Sequence, residues 1–221
     1  DYKLLGVIVM KNQTLAILED LIQNTPNSNW ITIETVDKKT IIDNQKLYND
    51  FLIILDGTLH LENKNSQILH FFTNSHIIYH SPFDLGIENQ LRIIANTDME
   101  VAFVNREFFL NFAANKPSYM EWLLTAVLRN SSGLCFELMK HDLPTEPRIT
   151  YTLQSFCDTL DLQADDDEEE YVEIPSYLNK SKLAHYGNVS RKNLNEKLDI
   201  LEEKEEVKRA DNKLYIRVES L

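Results

Sequence analysis

The stretch whose reading decides the fold is LAHYGNVSRKNLNEKL, Leu183 to Leu198. Apolar residues keep a helical beat at Leu183-Ala184, break off near Gly187, and resume through Leu194, Leu198 and Leu201. The spacing predicts one helix over Lys180 to Tyr186 and a second from Ser190 to about Glu205. Gly187 is expected to supply the positive φ that a helix end needs. Asn188-Val189 completes the turn, and Ser190 caps the second helix by accepting from the Asn193 amide. Leu183, Ala184, Val189, Leu194 and Leu198 can then share one small core, so the two helices cross steeply.

A bend of this kind lets the first helix lie across a phosphate backbone while the second inserts its N-terminal end into a DNA major groove. The second helix opens with Ser190-Arg191-Lys192-Asn193, four polar side chains in a row. Arginine can grip guanine O6 and N7 with two bonds, asparagine can do the same for adenine, and a helix N-terminus seats a phosphate. Val207-Lys208-Arg209, a turn at 210–213, and the alternating Leu214–Val218 read as a hairpin wing, whose Lys208, Arg209 and Lys213 can touch the flanking backbone. Lys182 and Lys197 join the candidate DNA-contacting set. From Lys180 to Arg217 there are ten Lys/Arg against seven Asp/Glu, a surplus of three, although the whole chain carries −13; the remainder therefore carries −16. The acids Glu196, Asp199, Glu202, Glu203, Glu205 and Glu206 are expected to face solvent or a neighbouring domain and to hold non-specific affinity down.

Upstream, the first half reads as β structure. Short runs at 29–36, 40–43, 50–55, 58–63, 66–73, 76–80, 90–96 and 99–105 are rich in Ile, Leu, Val, Phe and Thr and are separated by turn formers such as Asp56-Gly57. Even spacing of this kind predicts a small sandwich or barrel, preceded by a short amphipathic helix at Thr14–Gln23. From residue 106 the pattern turns helical: 106–115, then 118–141 capped by Ser118, then 148–162. In the long helix Met120, Leu124, Val127, Ser131, Leu134 and Leu138 step by four and three alternately. That is the seam of two helices wound about each other, so a homodimer is expected, with Ser131 placing a polar group at its axis. The acidic run 165–170 reads as a solvated loop.

With 221 residues, 43% of them hydrophobic, the chain can build real cores. Two distant cysteines, Cys135 and Cys157, form neither a finger nor a disulfide framework and are expected to be reduced and buried. No apolar run is long enough to span a bilayer, so a soluble, cytoplasmic protein without membrane contact is expected.

With these elements in order, the chain resembles the cAMP receptor protein/FNR (Crp/Fnr) family of bacterial transcription regulators over nearly its whole length. LYNDFLIILDGTLHL (47–61) is like the family's strand-turn-strand, and PRITYTLQSFCDTL (147–160) is similar to the helix after the hinge. LAHYGNVSRKNLNEKLDILEEKEEV (183–207) is like the family's Leu-Ala-x-x-x-Gly-x-Ser-Arg-x-x-Leu helix-turn-helix. The resemblance implies an α+β fold: an antiparallel, cyclic-nucleotide-binding-like β-roll over 1–116, a dimerisation helix over 117–141 and a winged helix-turn-helix over 142–221. It places Arg191, Lys192 and Glu196 where the family reads bases. Lys192 and Glu196 reverse the signs common there, so the usual operator is not implied.

The family's cyclic-nucleotide cassette, Gly-Glu-x-x-Gly-Glu-Leu followed by Arg-Ser/Thr-Ala, is missing from HIIYHSPFDLGIENQLRIIA (76–95), which has the single glycine Gly86 and has Ile93-Ile94 after Arg92. No cAMP binding and no cofactor are expected, and the chain looks most like the PrfA-like branch; a different small-molecule effector stays open. The iron–sulfur branch lacks its cysteines, and His76 and His80 are the residues a haem branch would need. The implied function is a homodimeric transcription regulator, not an enzyme, with double-stranded DNA, its own copy and, for an activator, RNA polymerase as partners. Two alternatives stand beside it: a protein-binding module with a degenerate helix-turn-helix, and a cupin-type enzyme using His60, His70, His76 and His80.

Overall fold

The computed structural model describes residues 2–80, 90–162 and 170–217. The acidic run from Asp165 to Glu169, the cassette stretch around Gly86 and Val218 lie outside them. The chain divides into two compact units, residues 1–60 with 72–133, and residues 61–71 with 134–221.

The first unit opens with α1 (Tyr2–Asn24), longer than the helix expected there. The strands follow in chain order, with residues 61–71 of β4 and β5 counted in the second unit: β1 (Ile31–Val36), β2 (Ile41–Ile42), β3 (Asp50–Asp56), β4 (Leu59–Asn63), β5 (Ile68–Phe72), β6 (Ile77–Ile78), β7 (Leu91–Ala95) and β8 (Met99–Asn105). A four-residue helix, α2 (Lys46–Asn49), leads into β3. The strands form two four-stranded sheets, of order β1-β8-β3-β6 and β2-β7-β4-β5. Strand β8 lies antiparallel between β1 and β3, from Ile31↔Val104 to Val36↔Met99 on one side and from Asp50↔Asn105 on the other. The turn after β3 requires Gly57: its φ is +98°, and an added Cβ would stand 2.7 Å from Met99 Cγ and 2.8 Å from the Asp98 carbonyl oxygen.

Helices α3 (Arg106–Ala113) and α4 (Pro117–Met139) follow, the last residues of α4, 134–139, being counted in the second unit. Asn105 caps α3 by accepting from the Phe108 amide. Pro117 opens α4 as its first residue, one position ahead of the expected Ser118 cap, where its missing N–H and fixed φ cost nothing. The core gathers Ile17 and Leu21 of α1, Phe51 and Ile53 of β3, Phe109 of α3 and Trp122 of α4. Phe51 meets Phe109 edge-on at 5.2 Å between centroids, and the Trp122 indole N–H donates to Thr14 Oγ1 at 3.0 Å.

The second unit is built from α5 (Thr145–Leu160), β9 (Tyr171–Ile174), α6 (Lys180–Gly187), α7 (Arg191–Glu203), β10 (Val207–Ala210) and β11 (Lys213–Arg217). The wing pairs Val207↔Ile216 through Ala210↔Lys213, leaving Asp211 and Asn212 as a two-residue turn with φ of +51° and +63°. Both central residues left-handed is the turn that matches strand twist. Strand β9, which the sequence reading lacked, adds a third strand on β11.

Leu194, Leu198 and Leu201 of α7 pack with Leu183 and Ala184 of α6 and Ile149, Leu153 and Phe156 of α5. Each of the leucine, isoleucine and phenylalanine side chains contributes about 1.5–3 kcal/mol on burial. Ile68 and Phe71, from the β4–β5 hairpin, belong to this same core. Phe71 meets Phe156 and Tyr186 edge-on at 4.8 and 4.9 Å. No helix among the described residues is long and apolar enough to cross a membrane.

Candidate nucleic-acid interface

The corner between α6 and α7 is built differently from the expectation at one residue. Gly187 is the last residue of α6 and carries no positive φ. Asn188 does, at +51°, and its amide donates back to Ala184 and His185 carbonyls. Asparagine tolerates the left-handed region because its short polar side chain bonds locally. Ser190 caps α7 as expected, its hydroxyl accepting from the Asn193 amide at 3.1 Å. The fixed corner leaves Arg191, Lys192 and Asn193 exposed in the first turn of α7.

Beside that turn runs a groove of about 780 Å³ between the wing and the α6–α7 corner. Arg191 and Asn195 line it from α7, Lys180 and Ser181 from α6, Arg209 and Lys213 from the wing. Arg191 Nη2 donates to Ser181 Oγ at 2.7 Å, a neutral partner that leaves the guanidinium its full charge. The sequence reading missed Lys180, Ser181 and Asn195. Asn195 stands four residues after Arg191, one helical turn on, and that interval was the available signal.

The other predicted residues are placed as follows. Lys192 is exposed at the tip, 3.9 Å from Glu196 on the same face. Lys182 is half-buried and Lys208 is exposed on β10. Lys197 turns toward α5, 3.8 Å from Glu146, which also pairs with Lys204. Arg209 is held by two acids of α7: its Nε lies 3.0 Å from Glu202 Oε2, and its Nη2 bonds both Glu202 and Asp199. The hydrogen bonds from Arg209 hold the Glu202 carboxyl below its ordinary range. Lys213 pairs with Glu173 at 2.7 Å and Arg217 with Glu170 at 2.7 Å. The acids thus do more than face solvent: several neutralise the wing.

Along α4, Met120, Leu124, Leu128, Cys135, Leu138 and Met139 are exposed, with Leu124, Leu128 and Leu138 each more than half accessible. Of the predicted seam, Val127 and Leu134 are partly buried, so the bare stripe is rotated toward Leu128 and Cys135. Cys135 is therefore exposed, against the expectation of two buried thiols, while Cys157 is buried and its thiol is pushed up to about 12, chiefly by burial. The Ser131 hydroxyl donates to the Val127 carbonyl at 3.0 Å, within its own helix.

Two of the histidines weighed for a metal have polar neighbours of their own. His60 Nδ1 lies 2.8 Å from Asn96 Oδ1, and His76 Nδ1 lies 2.9 Å from the carbonyl of Thr73 in its own turn. Among the described residues no three His, Cys, Asp or Glu gather as a metal site would need.

No protein-family model matches the chain, and no curated protein matches it in sequence. Solved structures do match. A cyclic nucleotide-binding domain containing protein from Listeria monocytogenes EGD-e superposes with a TM-score of 0.78 at 19% identity, over 92% of this chain and 97% of that one. A CooA mutant from Carboxydothermus hydrogenoformans gives 0.65 at 12% identity, over 90% and 89%. A transcriptional regulator of the CRP/FNR family from Thermus thermophilus gives 0.61 at 9% identity, over 85% and 94%. At such identities the likeness speaks for the fold: the chain has the α+β architecture of the Crp/Fnr regulators, with N-terminal antiparallel sheets, one long helix and a C-terminal winged helix-turn-helix.

Proposed function

We propose that the chain is a homodimeric, sequence-specific DNA-binding transcription regulator of the Crp/Fnr type that answers to a signal other than cAMP, and not an enzyme. The observation that carries this reading is the first turn of α7. A cap at Ser190 holds Arg191 and Asn193 exposed, with Asn195 one turn on and a groove alongside. Arg191 reads guanine, Asn195 or Asn193 reads adenine, and the helix N-terminus seats a phosphate. Lys180, Lys192 and Lys208 contact the backbone. The exposed stripe on α4 is the dimer seam, and pairing there sets two α7 helices about one DNA turn, roughly 34 Å, apart. The residues around Arg92 and Ile93-Ile94 lack the cyclic-nucleotide cassette, hence the different signal.

The test is a selection of bound sequences from a random DNA pool, followed by affinity measurements with Arg191→Ala. The variant is expected to lose about 1–3 kcal/mol on the selected site and little on unrelated DNA. Equal affinity of both proteins for the selected site would remove α7 as the reading helix.

A further inference from the structure

The second unit buries an ion cluster that DNA reading does not use. Glu137, in the last turn of α4, and Lys140, just beyond it, are paired and almost wholly buried, their side chains 5% and 1% exposed. Three more segments converge on the same carboxylate. The Tyr186 hydroxyl of α6 donates to Glu137 Oε1, the Ser155 hydroxyl of α5 donates to it at 3.2 Å, and His70 of β5 lies 3.9 Å away. Lys140 Nζ also stands 3.5 Å over the Tyr186 ring.

Stability alone is a poor reason for this arrangement. Two buried charges each carry a large desolvation cost, and apolar side chains of similar volume often serve as well or better. What charges add is direction: five groups from four segments fit only one register. The placement is telling in two ways. Tyr186 immediately precedes Gly187 and Asn188, so moving it moves the corner that aims α7. Leu138 and Met139 face outward, 65% and 62% exposed, between the inward Glu137 and Lys140. Whatever covers the outer face of this turn therefore bears on the cluster within.

We infer that Glu137, Lys140, Tyr186, Ser155 and His70 form an ionic latch that keys the helix-turn-helix to the end of α4, and that its release shifts the second unit to another arrangement with a different affinity for DNA. The affinity half rests on the DNA-binding reading; the latch itself does not.

The experiment uses the full chain and Tyr186→Phe, which removes one hydroxyl and keeps the ring in the core. Ser155→Ala is the second variant, should the first fold poorly. Amide hydrogen exchange of the free protein is expected to quicken about tenfold or more over 137–142 and 180–187, with β3 and β8 unchanged. On a sequence that the unaltered chain binds, affinity is expected to change about fivefold or more in either direction. Unchanged exchange in both variants overturns the latch. Faster exchange with unchanged affinity overturns the switch. A chain that binds no DNA selectively removes the DNA reading, and exchange alone then decides the latch.

Discussion

The tip of α7 and the wing beside it both carry cations, but the arginine of the tip, Arg191, and the arginine of the wing, Arg209, have opposite kinds of neighbour. Arg191 is partnered by a hydroxyl, Ser181. Arg209 is held between Glu202 and Asp199, Lys213 by Glu173 and Arg217 by Glu170. A guanidinium on a hydroxyl keeps its full attraction for a guanine or phosphate. One already on a carboxylate only exchanges one anion for another, and releases fewer counterions when it does. A local surplus of basic residues is thus a poor guide to the usable charge. Arg191 keeps its charge and the wing is largely neutralised, a difference that on the proposed DNA-binding reading favours quick release of unrelated DNA.

The contrast can be broken most directly by comparing two alanine variants. Arg191→Ala is expected to cost about 1–3 kcal/mol on a selected site, and Arg209→Ala well under 1 kcal/mol. Equal losses, measured by fluorescence anisotropy, would mean the carboxylates around Arg209 give way at no cost. Next in size is the corner that aims the tip. Asn188→Ala must hold a left-handed φ with no local polar partner and is expected to lose about 1 kcal/mol in denaturant unfolding. Gly187→Ala is expected to be neutral or to gain about 0.5 kcal/mol, since a Cβ there meets Val189 Cγ2 at 3.8 Å and Thr152 Oγ1 at 4.0 Å. The opposite ranking would return the left-handed role to the glycine.

Smaller effects sharpen the picture of the wing. Glu202→Gln with Asp199→Asn frees Arg209, so the slope of log affinity against log salt should steepen by about one. An unchanged slope would mean that Arg209 does not reach DNA. The buried pair supplies a contrast in pH. Burial pushes the Glu137 carboxyl up, but His70, Lys140 and Tyr186 more than reverse this and hold it below its ordinary range. A carboxyl lowered in the folded state contributes stability that is present above its unfolded value, about 4.3, and lost as pH falls through the folded one. Acid unfolding of Glu137→Gln should therefore be shallower than that of the unaltered chain, and an identical acid limb would contradict the pairing.

How legible this was from the sequence depended on the range of the forces involved. Strands β3 and β8 and helices α5 to α7 appeared close to their observed bounds because each carries its own apolar period and turn signals. The Ser190 cap is likewise a contact over three residues. Strand β9 was missed because its four residues are ordered by pairing with β11, forty or more positions away. The role of Asn188 was given to Gly187 because glycine is the commoner left-handed residue, and only the backbone distinguishes neighbours. Glu137 and Lys140 fell within the helix expected over 118–141 with no role given to them, and Phe71 within a strand run of the first half. Their burial in the second unit comes from long-range packing that leaves no local pattern. The pairing of Arg209 was hidden for the same reason: an acid ten residues back on a helix meets a strand only after the wing folds over it.

The central claim is that the α6–α7 corner presents Arg191 to a DNA duplex in two copies related by symmetry. The most direct measurement is sequence selection from random DNA by the full chain, with the mass of the bound complex determined alongside. The account predicts an enriched near-palindrome whose half-sites lie about one helical turn apart, roughly 34 Å, occupied by two chains. A pool that shows no enrichment, or a single chain on a single half-site, would contradict it.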